Sequence, residues 1–197
     1  MARNLPLDPD TRRAQLLSSA RDVFARNGYQ ATSVADIIQA AGVARGTFYN
    51  YFESKRQIFQ AVLEELMTQA GAAVQDIDVT APIPPQVYAN MVRVVRLLQD
   101  MGDESRILFQ DAAGIDAEGI EALSAFYGEA TSRIESALRT GQVMGIVREC
   151  DVALTASCLL GMLKEPVFES LLLRRPFDPE RLVDTILGIV GTGLMRT

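Results

Sequence analysis

The sequence contains no histidine, which removes the commonest general base and the commonest transition-metal ligand from any chemistry available to it. Cysteine is nearly as scarce. Cys150 and Cys158 stand eight positions apart around an expected helix start, a spacing that fits neither a CxxC metal knuckle nor a disulfide framework, and both are expected to be reduced, small packing residues. Long hydrophobic runs are missing as well. The longest candidate for a membrane span, Ala153 to Leu163, contains Thr155 and Ser157 and is stopped by Lys164 and Glu165, short of the roughly 18–20 residues that a bilayer crossing requires. Met1 to Asp10 has no apolar stretch of the kind a signal peptide needs, so a cytoplasmic location without a membrane partner is expected. A metal-ligand spacing, a glycine-rich phosphate loop and an activated nucleophile are all lacking. No catalytic residue, metal or cofactor is expected, and an all-α enzyme is the weakest reading.

Proline and glycine are thinly spread, with 8 and 14 in 197 residues, while 48% of the chain is hydrophobic. Ala, Leu, Ile, Val, Arg and Glu fill the periodic stretches, as in a helical bundle, and the expected fold class is all-α. The net charge of -6 is unevenly placed. Residues 1–60 hold eight Lys and Arg against five acids, and the remainder eleven against twenty. A mildly basic head on an acidic body suits a protein that presents one end to a polyanion.

The pattern predicts about nine helices. Asp8-Pro9 opens a first helix whose Leu16, Leu17, Ala20, Val23 and Phe24 recur at helical spacing until Asn27-Gly28 ends it. Ser33 and Asp36 form a capping box for a short second helix that Gly42 stops. A third short helix is expected over Ala44 to Phe52, and Ser54 with Gln57 announces a longer fourth with an apolar stripe from Ile58 to Met67. The interval from Asp76 to Pro85, with Pro82, Pro84 and Pro85, reads as a loop. Further helices are expected at about Gln86 to Met101, Glu104 to Ala112, Ala117 to Thr140, Val152 to Leu173 and Pro179 to Met195.

Two short helices joined by a glycine-containing turn behind a longer one have the layout of a helix-turn-helix. On the third helix Phe48, Phe52 and Ala44 share the side expected to face helices one and two. The opposite side carries Gly46, Thr47, Tyr49 and Asn50, with Arg45 and Tyr51 at its margins. Arg45 suits a guanine edge or a phosphate, and Asn50 an adenine or a phosphate. Thr47 and Tyr49 suit phosphate oxygens, while Gly46 permits close backbone approach. Lys55, in the first turn of helix four, is placed to hold a phosphate together with free backbone N–H groups.

Arg13-Ala14-Gln15-Leu16-Leu17, then Ala20 and Phe24 before Gly28-Tyr29, then Thr32-Ser33-Val34-Ala35-Asp36-Ile37 and the run from Ala41 to Lys55 resemble the TetR family of bacterial transcriptional regulators. The resemblance covers Pro9 to about Gln69. It implies a DNA-binding head over residues 9–69, with its motif at about 32–51, and a ligand-binding and dimerisation body over residues 70–197. It further implies a homodimer whose third helices read a palindromic double-stranded DNA operator, and a repressor released by a small hydrophobic effector. Carried over residue by residue, Ser33, Arg45, Gly46, Thr47, Tyr49, Tyr51 and Lys55 fall at DNA-contacting positions. Tyr51 departs from the family pattern, where histidine is common. A ligand-binding or scaffold protein whose head no longer reads a specific sequence is the alternative.

The last two helices are unusually apolar. Leu160, Leu163 and Leu171 on one, and Leu182, Ile186 and Val190 on the other, are expected at a two-fold four-helix interface, with Gly161, Gly188, Gly191 and Gly193 allowing close approach. Tyr88, Met91, Val95, Phe109, Phe126, Tyr127, Met144, Met162 and Phe168 are candidates to line an effector pocket. Pro166 is expected to kink its helix and leave space beside it.

Overall fold

A computed structural model describes residues 8–102, 107 and 117–193. Among the described residues the chain is built from eight helices, with no strand. They are α1 (Pro9–Ala31), α2 (Val34–Ala41), α3 (Arg45–Tyr49), α4 (Lys55–Ala73), α5 (Ile83–Asp100), α6 (Ala117–Val143), α7 (Val152–Leu173) and α8 (Pro179–Gly193). The helix expected over Glu104 to Ala112 lies, apart from Ile107, outside the described residues.

Local chemistry sets the ends of the head helices. The Asp8 side chain caps α1 by accepting from the Thr11 N–H at 3.0 Å. Gly28 breaks the helical path at φ 79° and ψ 162°, a region open to glycine, and this swing turns Tyr29 back into the core. The expected end at Asn27-Gly28 is therefore a break, after which one more turn reaches Ala31. Ser33 and Asp36 form the full capping box of α2, and Gly42 closes that helix in the left-handed conformation at φ 63°. Ser54 accepts from the Gln57 N–H to start α4.

Two expected boundaries move. α3 is five residues long, with Ala44 as its extended, exposed N-cap and Asn50 as its C-cap. Ser54 must adopt extended backbone at φ -153° to cap α4, so the chain leaves helical geometry before it. Phe52 still reaches the core, from the turn beyond the helix, where its N–H and that of Tyr51 both donate to the Phe48 carbonyl. α5 begins at Ile83 and takes Pro84 and Pro85 into its first turn, where no N–H is needed. Those prolines open the helix that they were expected to precede. α7 continues through Pro166 from Val152 to Leu173.

The centre of the head is aromatic. Phe24, Tyr29 and Phe59 are buried, with ring centroids 5.8, 5.1 and 4.5 Å apart for the pairs Phe24–Tyr29, Phe24–Phe59 and Tyr29–Phe59. Leu16 and Ala20 of α1, Ile37 and Ala41 of α2, Phe48 of α3 and Ile58 and Val62 of α4 close around them. The same cluster runs on through Val92 and Val95 of α5, Leu123 of α6, Val167 of α7 and Val183 of α8. α4 is the shared wall, packed on α1 in the head and on α5 and α6 in the body. Cys150 is half-buried, and Cys158, expected as a packing residue, is exposed on α7.

Phe59→Ala removes a ring from the centre of this cluster and should lower unfolding stability by about 3–5 kcal/mol, read from the urea midpoint. The Asp36 carboxyl is held below its ordinary value, first by the Ser33 hydroxyl and then by the Ser33 N–H. A lowered acid stabilises the fold fully above its unfolded value of 3.8, and that contribution is lost as pH falls through the lower folded value. The difference in melting midpoint between wild type and Asp36→Asn should therefore stay constant from about pH 7 to about pH 5 and shrink below about pH 4.

Candidate nucleic-acid interface

α3 is carried on the buried Phe48, which leaves the rest of the helix outward. Arg45, Gly46, Tyr49 and Asn50 are exposed, and Thr47 is half-buried beside them. The Arg45 guanidinium carbon lies 5.7 Å from the centre of the Tyr49 ring, and that ring meets Phe48 edge-on at 5.3 Å. Arg45 and Tyr49 thus form one prearranged surface, a cation resting on an aromatic face. Ser33 is exposed at the start of α2, yet its hydroxyl is engaged with Asp36, accepting from the Asp36 N–H and donating to the carboxylate. Tyr51 is half-buried and packs against the core.

Lys55 has a partner within the chain. Its Nζ donates to the Tyr29 carbonyl at 3.0 Å and sits 4.1 Å from the centre of the Tyr29 ring. The ammonium therefore clamps the end of α1 to the start of α4, satisfying a carbonyl at a helix C-terminus. A phosphate-facing lysine and a helix-clamping lysine have the same sequence signature, because the acceptor lies 26 residues away in the chain.

Two further residues shape the surface. Gln15 of α1 donates through Nε2 to the Ala41 carbonyl at 2.8 Å and accepts from Arg12 through Oε1 at 2.8 Å. It ties the last turn of α2, just before the Gly42 corner, to α1. Arg13 is exposed and lies over the Phe52 ring at 5.5 Å, bringing a guanidinium beside the turn after α3. In the sequence Arg13 stands out only within the run Arg13-Ala14-Gln15-Leu16-Leu17, because Phe52, over which it lies, is remote in the chain.

In the body, Val95 is fully buried core, and Tyr88, Met91, Phe126, Tyr127 and Phe168 pack half-buried against that core. Met162 is half-buried, Met144 is exposed, and Phe109 lies outside the described residues. The Tyr88 phenol is pushed up, first by desolvation and then by the Asp184 carboxylate of α8. Two clefts of about 300 Å³ open on the body surface. One lies between α7 and α8, lined in part by Pro166, Leu173, Phe177 and Leu182, and the other includes Met144. Neither gathers the other expected pocket residues. Ile186, expected at a dimer interface, is buried within the chain, and Leu163, Leu171 and Leu182 pack partly against its core. Leu160 and Val190 are half-buried. The most exposed apolar side chains of α7 and α8 are instead Leu154, Leu172, Leu173 and Ile189.

Residues 16–62 match the family model for bacterial regulatory proteins of the tetR family. The chain is 38% identical over 84 residues to the HTH-type transcriptional repressor KstR2 of Mycolicibacterium smegmatis, a match spanning 43% of this chain and 41% of that repressor. It is 24% identical over 188 residues to the HTH-type transcriptional regulator YhgD of Bacillus subtilis, covering 93% and 96% of the two chains. Among solved structures, a transcriptional regulator from Pseudomonas aeruginosa superposes with a TM-score of 0.77 at 24% identity, over 94% of this chain and 91% of that one. FadR from Bacillus subtilis, in complex with stearoyl-CoA, gives a TM-score of 0.77 at 23% identity, over 91% and 98%. The capped α2, the Gly42 corner and the exposed face of α3 all fall within the matched segment, and this head is that of the tetR family of bacterial regulatory proteins.

Proposed function

We propose that the chain is a sequence-specific DNA-binding transcriptional regulator, a repressor that binds a palindromic operator as a homodimer and is released by a small hydrophobic effector. The observation that carries this reading is the outward face of α3: Arg45, Gly46, Tyr49 and Asn50 exposed together on a helix locked from behind by Phe48. A short helix with one cation, one amide and no bulky aliphatic group on its free side suits entry into a major groove. Ser33, Thr47 and Arg13 flank it and supply hydroxyl and guanidinium donors for phosphates, which set orientation. Tyr51 contributes its half-buried ring to the support of that face.

The body supports the effector and dimer halves of the reading. Its aromatic and thioether side chains, Tyr88, Met91, Phe126, Tyr127, Met162 and Phe168, stay half-buried where the head core is closed, an interior able to admit an apolar molecule. FadR, of like fold, has been solved with stearoyl-CoA. Leu154, Leu172 and Ile189 leave apolar surface on α7 and α8, beside the exposed Gly161 and Gly188, for a second copy.

Selection of genomic fragments by the purified protein, followed by an anisotropy titration of the enriched site at fixed salt, tests the DNA reading. One palindromic site is expected, with Tyr49→Ala and Arg45→Ala each weakening it by roughly tenfold or more. Enrichment of nothing, or binding that follows salt alone and ignores both substitutions, overturns it. Lys55→Met separates the clamp from a phosphate contact. A clamp predicts a lower unfolding midpoint, by about 1 kcal/mol, with little change in the salt slope of DNA binding, whereas a phosphate contact predicts a slope reduced by about one.

A further inference from the structure

Lys164 is the only basic residue of α7, in a stretch that is otherwise apolar from Leu159 to Leu163 and at Val167 and Phe168. It is half-buried in the seam between α6 and α7, while the neighbouring Glu165 is exposed. Its Nζ lies 5.3 Å from the centre of the Tyr127 ring on α6. Among the described residues no ion pair within 4.0 Å involves it. Val167, three residues after Lys164, and Leu123, four before Tyr127, are buried.

A half-buried lysine that rests on an aromatic face with no carboxylate within ion-pair distance is placed to take an anion as its partner. The carboxylates of the two helices do not fill that role: Glu129 and Glu135 of α6 pair with Arg133 and Arg139 of their own helix, and Glu165 and Glu169 of α7 are exposed and form no ion pair with Lys164. Tyr127 adds a second group. Burial pushes its phenol up to about 12, so it remains a neutral hydroxyl.

We propose that Lys164, resting on Tyr127, anchors the polar end of the effector, and that the effector is an amphipathic anion, an apolar body ending in a single negatively charged group. The half-buried Phe126, Met162 and Phe168 then receive the apolar part. This rests on the effector reading above and names the class of ligand for it.

Calorimetric titration of the full chain with decanoate and with 1-decanol, equal in chain length and different in charge, tests the proposal. Wild type is expected to bind decanoate at least tenfold more tightly than decanol. Lys164→Met should bring the two within about twofold by weakening decanoate alone, and Lys164→Arg should keep the preference. Equal binding of both probes by wild type, a preference that survives in Lys164→Met, or binding of neither overturns it. Circular dichroism of both variants checks that they fold. DNA titration of the same samples separates the two readings, because intact operator binding with no decanoate preference sinks the anchor alone, and lost operator recognition with the preference intact sinks the DNA reading alone.

Discussion

The contact between Phe24, Tyr29 and Phe59 is the constraint on which the geometry of the head depends. Three mutually touching rings bring the end of α1 against the first turns of α4, and because rings this large fill their space in one way, they fix the angle between the two helices. The Gly28 break is what lets Tyr29 reach this position, and the Lys55 ammonium on the Tyr29 carbonyl and ring locks it there. α2 and α3 have too few residues to hold themselves in place. They are positioned by Ile37, Ala41 and Phe48 against that frame, with Gln15 holding the Ala41 carbonyl from the side. The outward residues of α3 are consequently presented by a scaffold of buried, clustered side chains.

The body is packed differently. Its closed core is aliphatic, with Val95, Leu98, Leu123, Leu138, Val167 and Ile186 among the buried residues, while its aromatic side chains Tyr88, Phe126, Tyr127 and Phe168 remain partly exposed. Such an arrangement keeps apolar surface available without a preformed deep cavity, and it suits a body whose interior reorganises around a guest. α4 links the two regimes, since it belongs to the head cluster at Phe59 and to the body through α5 and α6. Arg56 in its first turn pairs with Glu121 of α6 at 3.1 Å. The pair joins the first turn of α4, on the head side, to α6 of the body.

Most of the fold was legible because helix signals are local. Ser33 with Asp36, Ser54 with Gln57, and Gly42 each act within four residues of their partners, so a pattern in the chain is already the physical interaction. α7 falls on its expected bounds for this reason. The places where expectation and structure part are those where a distant group intervenes. Ala44 was grouped with Phe48 and Phe52 by helical periodicity, but the need for extended backbone at Ser54 shortens α3 and leaves Ala44 outside.

The sequence by itself determined the all-helical class, the helix-turn-helix layout and the polar character of the α3 face, since periodicity, caps and residue type need no knowledge of neighbours. Tertiary structure alone decided which competing partner each side chain takes. Lys55 turns to Tyr29, Gln15 to Ala41, Arg13 to Phe52 and Lys164 to Tyr127, and Ile186 goes inward where Ile189 goes out. The reason is geometric: a flexible or apolar side chain satisfies itself with whatever the fold brings within a few ångströms, and that depends on how helices far apart in the chain are packed.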